Sequence, residues 1–238
     1  MTILLDGVVT ELFGDLLKEE RVGSKLLLLK QHHIETYLHS LRVGAGCLVL
    51  GKEFLESDLG NSTIFDDYCL RACGYSGLLH DVGKLRLPVS LLYNKDELTL
   101  EERKLVESHP SFGYDMLQDF DELVRSTVIS HHEYQKRPYP RNDSANKQKN
   151  TYSIDRRKCD VRLGAVAQVL AVSDNLDVML HGRPYSPALP ESEIEGVLRE
   201  NFLGDPKYVE LALSSLNSGF SKSLMDDFIT PFCTESGA

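Results

Sequence analysis

The chain has 238 residues, a formal net charge of -10 and 42% hydrophobic residues. This length is enough to bury one large helical core, and the composition is ordinary for a soluble globular protein. The acidic balance leaves no broad basic face, which argues against binding to a nucleic-acid polymer. A small nucleotide remains compatible with the charge, because it needs only a local basic pocket.

The N-terminal residues and the cysteines indicate the compartment. Met1 to Phe13 contains acidic residues and no basic segment, so it does not resemble a signal peptide. Uninterrupted apolar runs such as Leu26 to Leu29 are too short to span a bilayer. The five cysteines stand at irregular spacings, which suits a reducing compartment, and Cys69 and Cys73 are predicted to be buried thiols. We therefore expect a cytoplasmic protein with no membrane partner.

Helical spacing of apolar residues dominates the chain, and no convincing alternating strand appears. The pattern predicts helices at approximately Thr2 to Lys18, Lys25 to Glu56, Ile64 to His80, Thr99 to His109, Ser111 to Leu117, Asp121 to His131, Val161 to Leu180 and Asp205 to Leu216. Gly23 and Ser24 are expected to separate the first two helices, and Pro110 is expected to hold His109 extended at a helix exit. The sequence predicts an all-α fold, with a short N-terminal helical extension at 1–22 and one domain at 23–238.

The segment from Leu78 to Lys84 is the centre of the functional argument. An apolar run ends there in His80 and Asp81, two residue types that bind metal ions, and Gly83 allows the helix to stop. Lys84 then places a point charge suited to a phosphate oxygen. The His-Asp pair alone also fits a capped core helix, so the case for a metal site depends on where the other histidines lie.

Further imidazole and carboxylate groups lie on or at the ends of predicted helices. The full candidate set is Glu35, His39, His80, Asp81, His109, His131, His132 and Asp174. Glu35 and His39 are four residues apart and share a helix face, while Asp174 lies in an apolar segment, where an unpaired carboxylate would be costly. Imidazole and carboxylate without thiolate favour iron, manganese or similar ions over structural zinc. Eight such groups suit two or three divalent ions rather than one.

The order of these motifs resembles the HD superfamily of metal-dependent phosphohydrolases, and within it the HD-GYP subfamily of cyclic di-GMP phosphodiesterases. The matching text is Glu35-x3-His39, His80-Asp81-Val82-Gly83-Lys84, Ser108-His109-Pro110, His131-His132-Glu133, Val172-Ser173-Asp174 and Gly182-Arg183-Pro184-Tyr185. His-Asp alone is a weak motif, but the ordered set is specific and covers about three-quarters of the chain.

The resemblance implies a single HD-domain helical bundle that hydrolyses a cyclic dinucleotide, with cyclic di-GMP as the first expectation. It implies metal ligation by His39, His80, Asp81, His109, His131, His132 and Asp174, with Glu35 at the position that supports a third ion in some members. Asp81 and Lys84 are the implied catalytic residues, and Lys84 and Arg183 are expected to hold phosphate oxygens. In the family a hydroxide between the ions attacks phosphorus directly.

Two departures from the subfamily pattern concern the substrate. The subfamily carries Gly-x-Gly-Tyr-Pro after His-His-Glu, whereas Tyr134 to Pro140 contains neither glycine, and Arg137 there replaces flexible backbone with bulk. Where relatives have a basic residue after Arg-Pro-Tyr, this chain has Ser186. Arg137, Lys136 and Arg183 are candidates for the missing phosphate contact. Tyr139 is a candidate either to stack on a guanine or to anchor its loop.

The same residues are compatible with several functions besides cyclic di-GMP hydrolysis. The altered segment motivates a phosphohydrolase that acts on another nucleotide or a phosphomonoester. A non-hydrolytic nucleotide-binding regulatory domain and a di-iron oxygenase also fit the ligand types, although Lys84 and Arg183 suit phosphate better than oxygen. A homodimer or protein partners in signalling are compatible with the leading hypothesis. His32, His33 and His181 match no family position and are expected to be surface histidines.

Overall fold

The computed structural model describes residues 7–57, 64–94, 96–136, 160–182, 187–217 and 229–230. The helices in these ranges are α1 (Gly7–Lys18), α2 (Glu20–His32), α3 (Ile34–Glu56), α4 (Asp67–Leu79), the 3-10 helix η1 (Val82–Arg86), α5 (Val89–Leu92), α6 (Leu100–Val106), α7 (His109–Met116), α8 (Glu122–Ser130), α9 (Leu163–His181), α10 (Glu191–Asn201) and α11 (Pro206–Asn217). The described residues contain no strand, and their one β-bridge joins Gln135 to Phe202. The predicted all-α class is confirmed.

The core lies where α3, α4 and α9 pack together. Small residues allow the first two of these helices to approach closely: a Cβ on Gly77 would lie 2.8 Å from the Gly44 Cα. Cys69 and Cys73 are buried in α4, as predicted. Apolar side chains from all three helices fill the centre, among them Val43, Leu48, Leu78, Leu79, Val169, Leu170 and Val172. This tight contact fixes the end of α4 against the middle of α3 and α9.

The predicted boundaries of the first helices are wrong. The chain breaks at Glu19, between α1 and α2, whereas Gly23 and Ser24 lie inside α2. The long helix predicted from Lys25 to Glu56 is divided at His33, which is extended with φ -154° and ψ 104°. The His33 side chain accepts a hydrogen bond from the backbone N–H of Thr36 and so caps α3. Histidine is not among the preferred capping residues, which is why the sequence pattern missed this break.

The prediction for His109 is also wrong. His109 begins α7 instead of standing extended at the exit of α6, and Pro110 occupies the first turn of α7. Proline is well tolerated there, because a first-turn N–H has no partner within the helix. The sequence pattern also missed α10 (Glu191–Asn201).

The N-terminal helix packs on the same core as the rest of the described chain. Val9, Phe13 and Leu16 of α1 are buried in it, and a Cβ on Gly74 of α4 would lie 2.5 Å from Leu16 Cδ1. The division between an extension at 1–22 and a domain at 23–238 falls within α2 and stays a prediction. The first residues of the predicted helix, up to residue 6, lie outside the described residues.

Helix α9 is the one described helix that is long and apolar enough to cross a membrane. It is instead the central helix of the bundle, with most of its length buried by other helices. Two of its buried residues, Asp174 and Asp177, are carboxylic acids. These features are those of a helix packed in a core.

Candidate metal centre

Seven of the eight predicted ligands come together in the interior, at the ends of several helices. His80 and Asp81 directly follow α4, His131 and His132 directly follow α8, and His109 begins α7. His39 and Asp174 reach the same place from α3 and α9. All seven side chains are buried. Helix ends thus bring residues that are distant in sequence into one small volume.

The ligand atoms form three overlapping groups within the described residues. In each group the atoms lie within 4.8 Å of one another. The groups are His39, His80 and Asp174; His80, Asp81 and His131; and His109, His131 and His132. Because the groups share His80 and His131, the arrangement is suited to neighbouring cations rather than to one isolated ion.

The three histidines at helix ends are oriented by one recurring hydrogen bond. In each, Nδ1 lies close to the backbone carbonyl oxygen three residues earlier. The contacts are His80 to Gly77 at 2.9 Å, His109 to Val106 at 2.7 Å and His131 to Val128 at 2.6 Å. A carbonyl can only accept, so Nδ1 carries the proton and Nε2 of the neutral ring presents a lone pair. This is the tautomer in which imidazole binds a metal through Nε2.

The Nε2 atoms of these rings and of His39 face one another, which is the observation that tests the fit of a metal. His39 Nε2 lies 3.1 Å from His80 Nε2, and His109 Nε2 lies 3.3 Å from His131 Nε2. Burial lowers the pKa of His80, and burial with the neighbouring imidazoles lowers the pKa of His131 to about 3, so both rings are neutral at pH 7. The lone pairs on His109 Nε2 and His131 Nε2 repel each other unless a cation lies between them, and divalent metal ions therefore fit this donor set.

The carboxylate of Asp81 lies close to histidines of more than one of these groups. Its Oδ1 lies 3.2 Å from His109 Nε2, while its Oδ2 lies 3.5 Å from His80 Nε2 and 2.6 Å from Lys84 Nζ. Burial acts to raise the pKa of this carboxyl, but Lys84, His80 and His109 outweigh burial and hold the pKa well below its usual range. Asp81 is therefore an anion whose two oxygens face different sets of ligands, as a bridging carboxylate requires.

An unpredicted carboxylate, Asp177, orients His39. Asp177 Oδ2 lies 2.6 Å from His39 Nδ1, so the other nitrogen, Nε2, faces Asp174 Oδ1 at 3.2 Å. Arg42 Nε donates to Asp177 Oδ1 at 2.7 Å, and His181 Nδ1 lies 2.9 Å from the same oxygen. Burial acts to raise the pKa of Asp177, but these partners outweigh it and lower that pKa. Asp177 could have been found in the sequence from its spacing, because it lies three residues after Asp174 on one helix face.

Two predicted ligands lie toward the edge of the cluster. His132 is buried, and its Nδ1 contacts the side-chain amide of Gln135. Burial, with the neighbouring His131 and His109, lowers the pKa of His132 well below its usual range. Glu35 is exposed on the first turn of α3 and belongs to none of the three groups. The predicted substrate residues Arg137, Tyr139 and Arg183 lie outside the described residues.

The cluster opens into a cavity of about 890 Å³. His39, His109 and His132 contribute to its wall, together with Lys84 and the exposed Glu35. The end of α5 and described residues of the segment that leads into α6 also line it. A cavity of this size is within the range of small-molecule sites, and it gives a ligand direct access to the candidate metal ligands.

The three histidines predicted to lie at the surface are not all exposed. His33 is only 5% exposed and lines the cavity, so the expectation for His33 is wrong. His32 is half-buried, with Nε2 at 3.1 Å from the Leu87 carbonyl oxygen. The side chain of His181 is largely covered, because it lies against Asp177. Packing between helices decides the burial of these rings, and the local sequence does not reveal it.

Comparison with known families shows what part of this chain is similar to. Residues 55–148 match the family model described as HD domain, and this segment carries His80, Asp81, His109, His131 and His132 of the candidate site. The predicted resemblance to HD-domain phosphohydrolases is confirmed.

Curated relatives carry a more specific name. A cyclic di-GMP phosphodiesterase of Pseudomonas aeruginosa is 33% identical over 129 residues, which cover 53% of this chain and 29% of that protein. One of Thermotoga maritima is 25% identical over 172 residues, covering 70% of this chain and 40% of the relative. One of Vibrio cholerae is 26% identical over 209 residues, which cover 83% of this chain and 39% of that relative. The chain thus spans well under half the length of these relatives. The family match and their names support the prediction of a phosphohydrolase enzyme.

Proposed function

We propose that this chain is a metal-dependent phosphodiesterase that hydrolyses a cyclic dinucleotide, with cyclic di-GMP as the first candidate. The observation that carries the proposal is the convergence of buried Nε2 atoms and carboxylates around Asp81, beside a cavity of about 890 Å³. The substrate comes from the names of the relatives. We further propose that the site binds two or three divalent ions, iron or manganese, because the ligands are imidazoles and carboxylates. We also propose a cytoplasmic signalling role.

In this proposal each group of ligands has its own role at the metal centre. His39, His80 and Asp174 hold one ion, His109, His131 and His132 hold another, and Asp81 lies between the two sets. Glu35, one turn before His39, is the proposed contact for a third ion. When bound, such ions lower the pKa of water and stabilise the charge that develops on phosphorus.

Lys84 has two proposed roles at this site. Its Nζ lies 2.6 Å from Asp81 Oδ2, where it keeps the bridging carboxylate ionised and in place. It also lines the cavity, where its charge is available to a phosphate oxygen. Arg183, Arg137 and Tyr139 remain proposed substrate contacts on the resemblance alone.

A second candidate is a phosphohydrolase for another nucleotide or a phosphomonoester. It is favoured by the sequence from Tyr134 to Pro140, which lacks both glycines of the subfamily pattern. Non-hydrolytic nucleotide binding is the third candidate, and the presence of every metal-ligand position speaks against it.

The deciding experiment is metal analysis of anaerobically purified protein, paired with hydrolysis assays. We expect bound iron or manganese and conversion of cyclic di-GMP to a linear dinucleotide. His80→Ala and Asp81→Ala should lose bound metal and at least about a hundredfold in kcat/KM, because each removes a direct metal ligand. His32→Ala and Asp115→Ala are the controls, since both residues lie outside the three ligand groups.

Each outcome of this experiment points to one candidate. Turnover retained in both ligand variants would refute the roles given to His80 and Asp81. Release of phosphate from nucleoside monophosphates without cleavage of cyclic di-GMP would favour the second candidate. Tight nucleotide binding without any hydrolysis by the metal-loaded protein would favour the third.

A further inference from the structure

The wall of the cavity carries an exposed aromatic residue that no motif predicted. Tyr93 caps the C-terminal end of α5 and is 53% exposed. Its side chain lines the same cavity as His39, His109 and Lys84. An exposed tyrosine on the wall of a candidate nucleotide site offers a flat surface on which a base can stack.

His33 supports the ring of Tyr93. The two rings meet edge to face, with centroids 4.5 Å apart and an interplanar angle of 68°. This arrangement sets the positive edge of one ring against the negative face of the other, and it favours one ring orientation over others. Tyr93 is therefore held by a buried neighbour, even though about half of its surface is open.

His33 is itself fixed, and its tautomer distinguishes it from the candidate metal ligands. Its Nδ1 accepts from the Thr36 backbone N–H at 3.2 Å and lies 2.8 Å from Thr36 Oγ1. Since an N–H can only donate, the proton of the neutral ring lies on Nε2, which has no hydrogen-bond partner among the described residues. His33 thus acts as a rigid support beside Tyr93 and not as a ligand.

The charges along the cavity indicate which part of a nucleotide lies where. Lys84, whose Nζ lies 2.6 Å from Asp81 Oδ2, and the candidate cation site suit phosphate. Asp96 and Glu97, three and four residues after Tyr93, are exposed and also line the cavity. Carboxylates repel phosphate but accept hydrogen bonds from the N–H groups of a base. The base end of a nucleotide is therefore expected at Tyr93 when its phosphate is at Lys84 and the candidate cation site.

We propose that Tyr93 is the stacking platform for a purine base of the substrate, and that His33 is the positioning residue that holds this platform. The inference rests on the proposed function, because it requires a nucleotide whose phosphate lies at the metal centre. It adds a base-recognition site formed by residues outside every motif that the resemblance supplied.

The test uses two small probes with the manganese-loaded full chain: guanosine 5′-monophosphate, and ribose 5-phosphate, which lacks the base. We expect wild type to bind the first at least about tenfold more tightly, because stacking on an aromatic residue contributes that much or more. Tyr93→Ala should weaken binding of the guanosine compound about tenfold and leave ribose 5-phosphate unchanged. Tyr93→Phe should retain wild-type affinity for both.

Two further variants keep the result specific. Tyr68→Ala removes a partly exposed tyrosine of α4 that does not line the cavity, and it should change neither affinity. His33→Asn retains a side chain that can cap α3 but removes the supporting ring. It should weaken binding of the guanosine compound severalfold without affecting ribose 5-phosphate, whereas a merely structural role would weaken both equally.

The platform is refuted if wild type binds the two probes equally, or if Tyr93→Ala changes both affinities by the same factor. Hydrolysis of cyclic di-GMP by the same preparation would then leave the proposed function standing. If the protein takes up no metal and hydrolyses nothing, the proposed function fails, and the platform is refuted with it as a substrate site.

Discussion

Four histidines at the candidate centre each use one ring nitrogen to hold their position and the other to face the site. His80, His109 and His131 are held by backbone carbonyl oxygens, whereas His39 is held by the carboxylate of Asp177. A carboxylate makes imidazole a stronger electron donor than a carbonyl does. His39 is therefore the ligand whose strength depends most on a neighbouring side chain.

Replacement of Asp177 by asparagine tests this dependence. Asp177→Asn keeps the size of the side chain but removes the charge that faces His39 Nδ1 and Arg42. We expect metal affinity to fall about 10–100-fold, as is typical when such an outer partner is lost. The measurement is metal titration of the apoprotein, after circular dichroism has shown that the variant is folded. Asp115→Asn on α7 is the matched control, and equal affinities of the two variants would contradict the role of Asp177.

At the scale of elements, the centre depends on how η1 lies against α7. Gly83 of η1 is so close to α7 that an added Cβ would lie 1.9 Å from the His109 carbonyl oxygen and 2.5 Å from Gly113 N. Both are backbone atoms, which cannot rotate aside. The same contact brings Asp81 and His109 within hydrogen-bond distance of each other. A glycine is thus required there for the ligands of η1 and α7 to meet.

Gly83→Ala should therefore damage both stability and the site. We expect a loss of at least about 1–3 kcal/mol in the free energy of unfolding, the usual cost of overpacking, together with weaker metal binding as α7 moves. Gly196→Ala is the control, because no atom lies within 4 Å of its Cβ position in α10. That change should stabilise the protein by about 0.4–1 kcal/mol. Urea denaturation measures both effects, and equal midpoints for the two variants would contradict the argument.

The whole molecule packs a polar cluster into an otherwise apolar interior. Five imidazoles and two carboxylates among the predicted ligands are buried beside the core of α3, α4 and α9. Burial of such groups costs free energy unless they are paired or bind a cation. A bound ion would offset this cost only in the folded state, since the unfolded chain separates the ligands. Metal binding and folding are then linked.

This linkage predicts that metal removal lowers the stability of the protein. Manganese at 100 times its dissociation constant should add about 2.7 kcal/mol to the free energy of unfolding, relative to chelator-treated protein. Magnesium should add less at the same concentration, because imidazole ligands suit it poorly. Thermal denaturation at increasing metal concentration measures the effect. A melting temperature of Asp81→Ala that rose with manganese as much as that of wild type would contradict the assignment.

Most of the helices could be predicted from the sequence, because the signals for them are local. The same holds for the seven candidate ligands that meet. Apolar spacing predicts a helix wherever one face is buried, and His80 and Asp81 stand at the end of such a pattern. The ordered motifs then predict the HD class, since each short motif is readable by itself. Boundaries failed at His33 and at His109, where an unusual cap and a first-turn proline decide the backbone.

The sequence by itself determined the helical class and which residues carry the chemistry, because periodicity and residue type are properties of neighbouring positions. Only the tertiary structure decided how those residues face one another. Asp177 reaches His39 across 138 positions of the chain, and His33 meets Tyr93 only because a helix cap and the end of α5 are packed together. Such contacts depend on the approach of helices that are distant in sequence, which close packing fixes and no local pattern encodes.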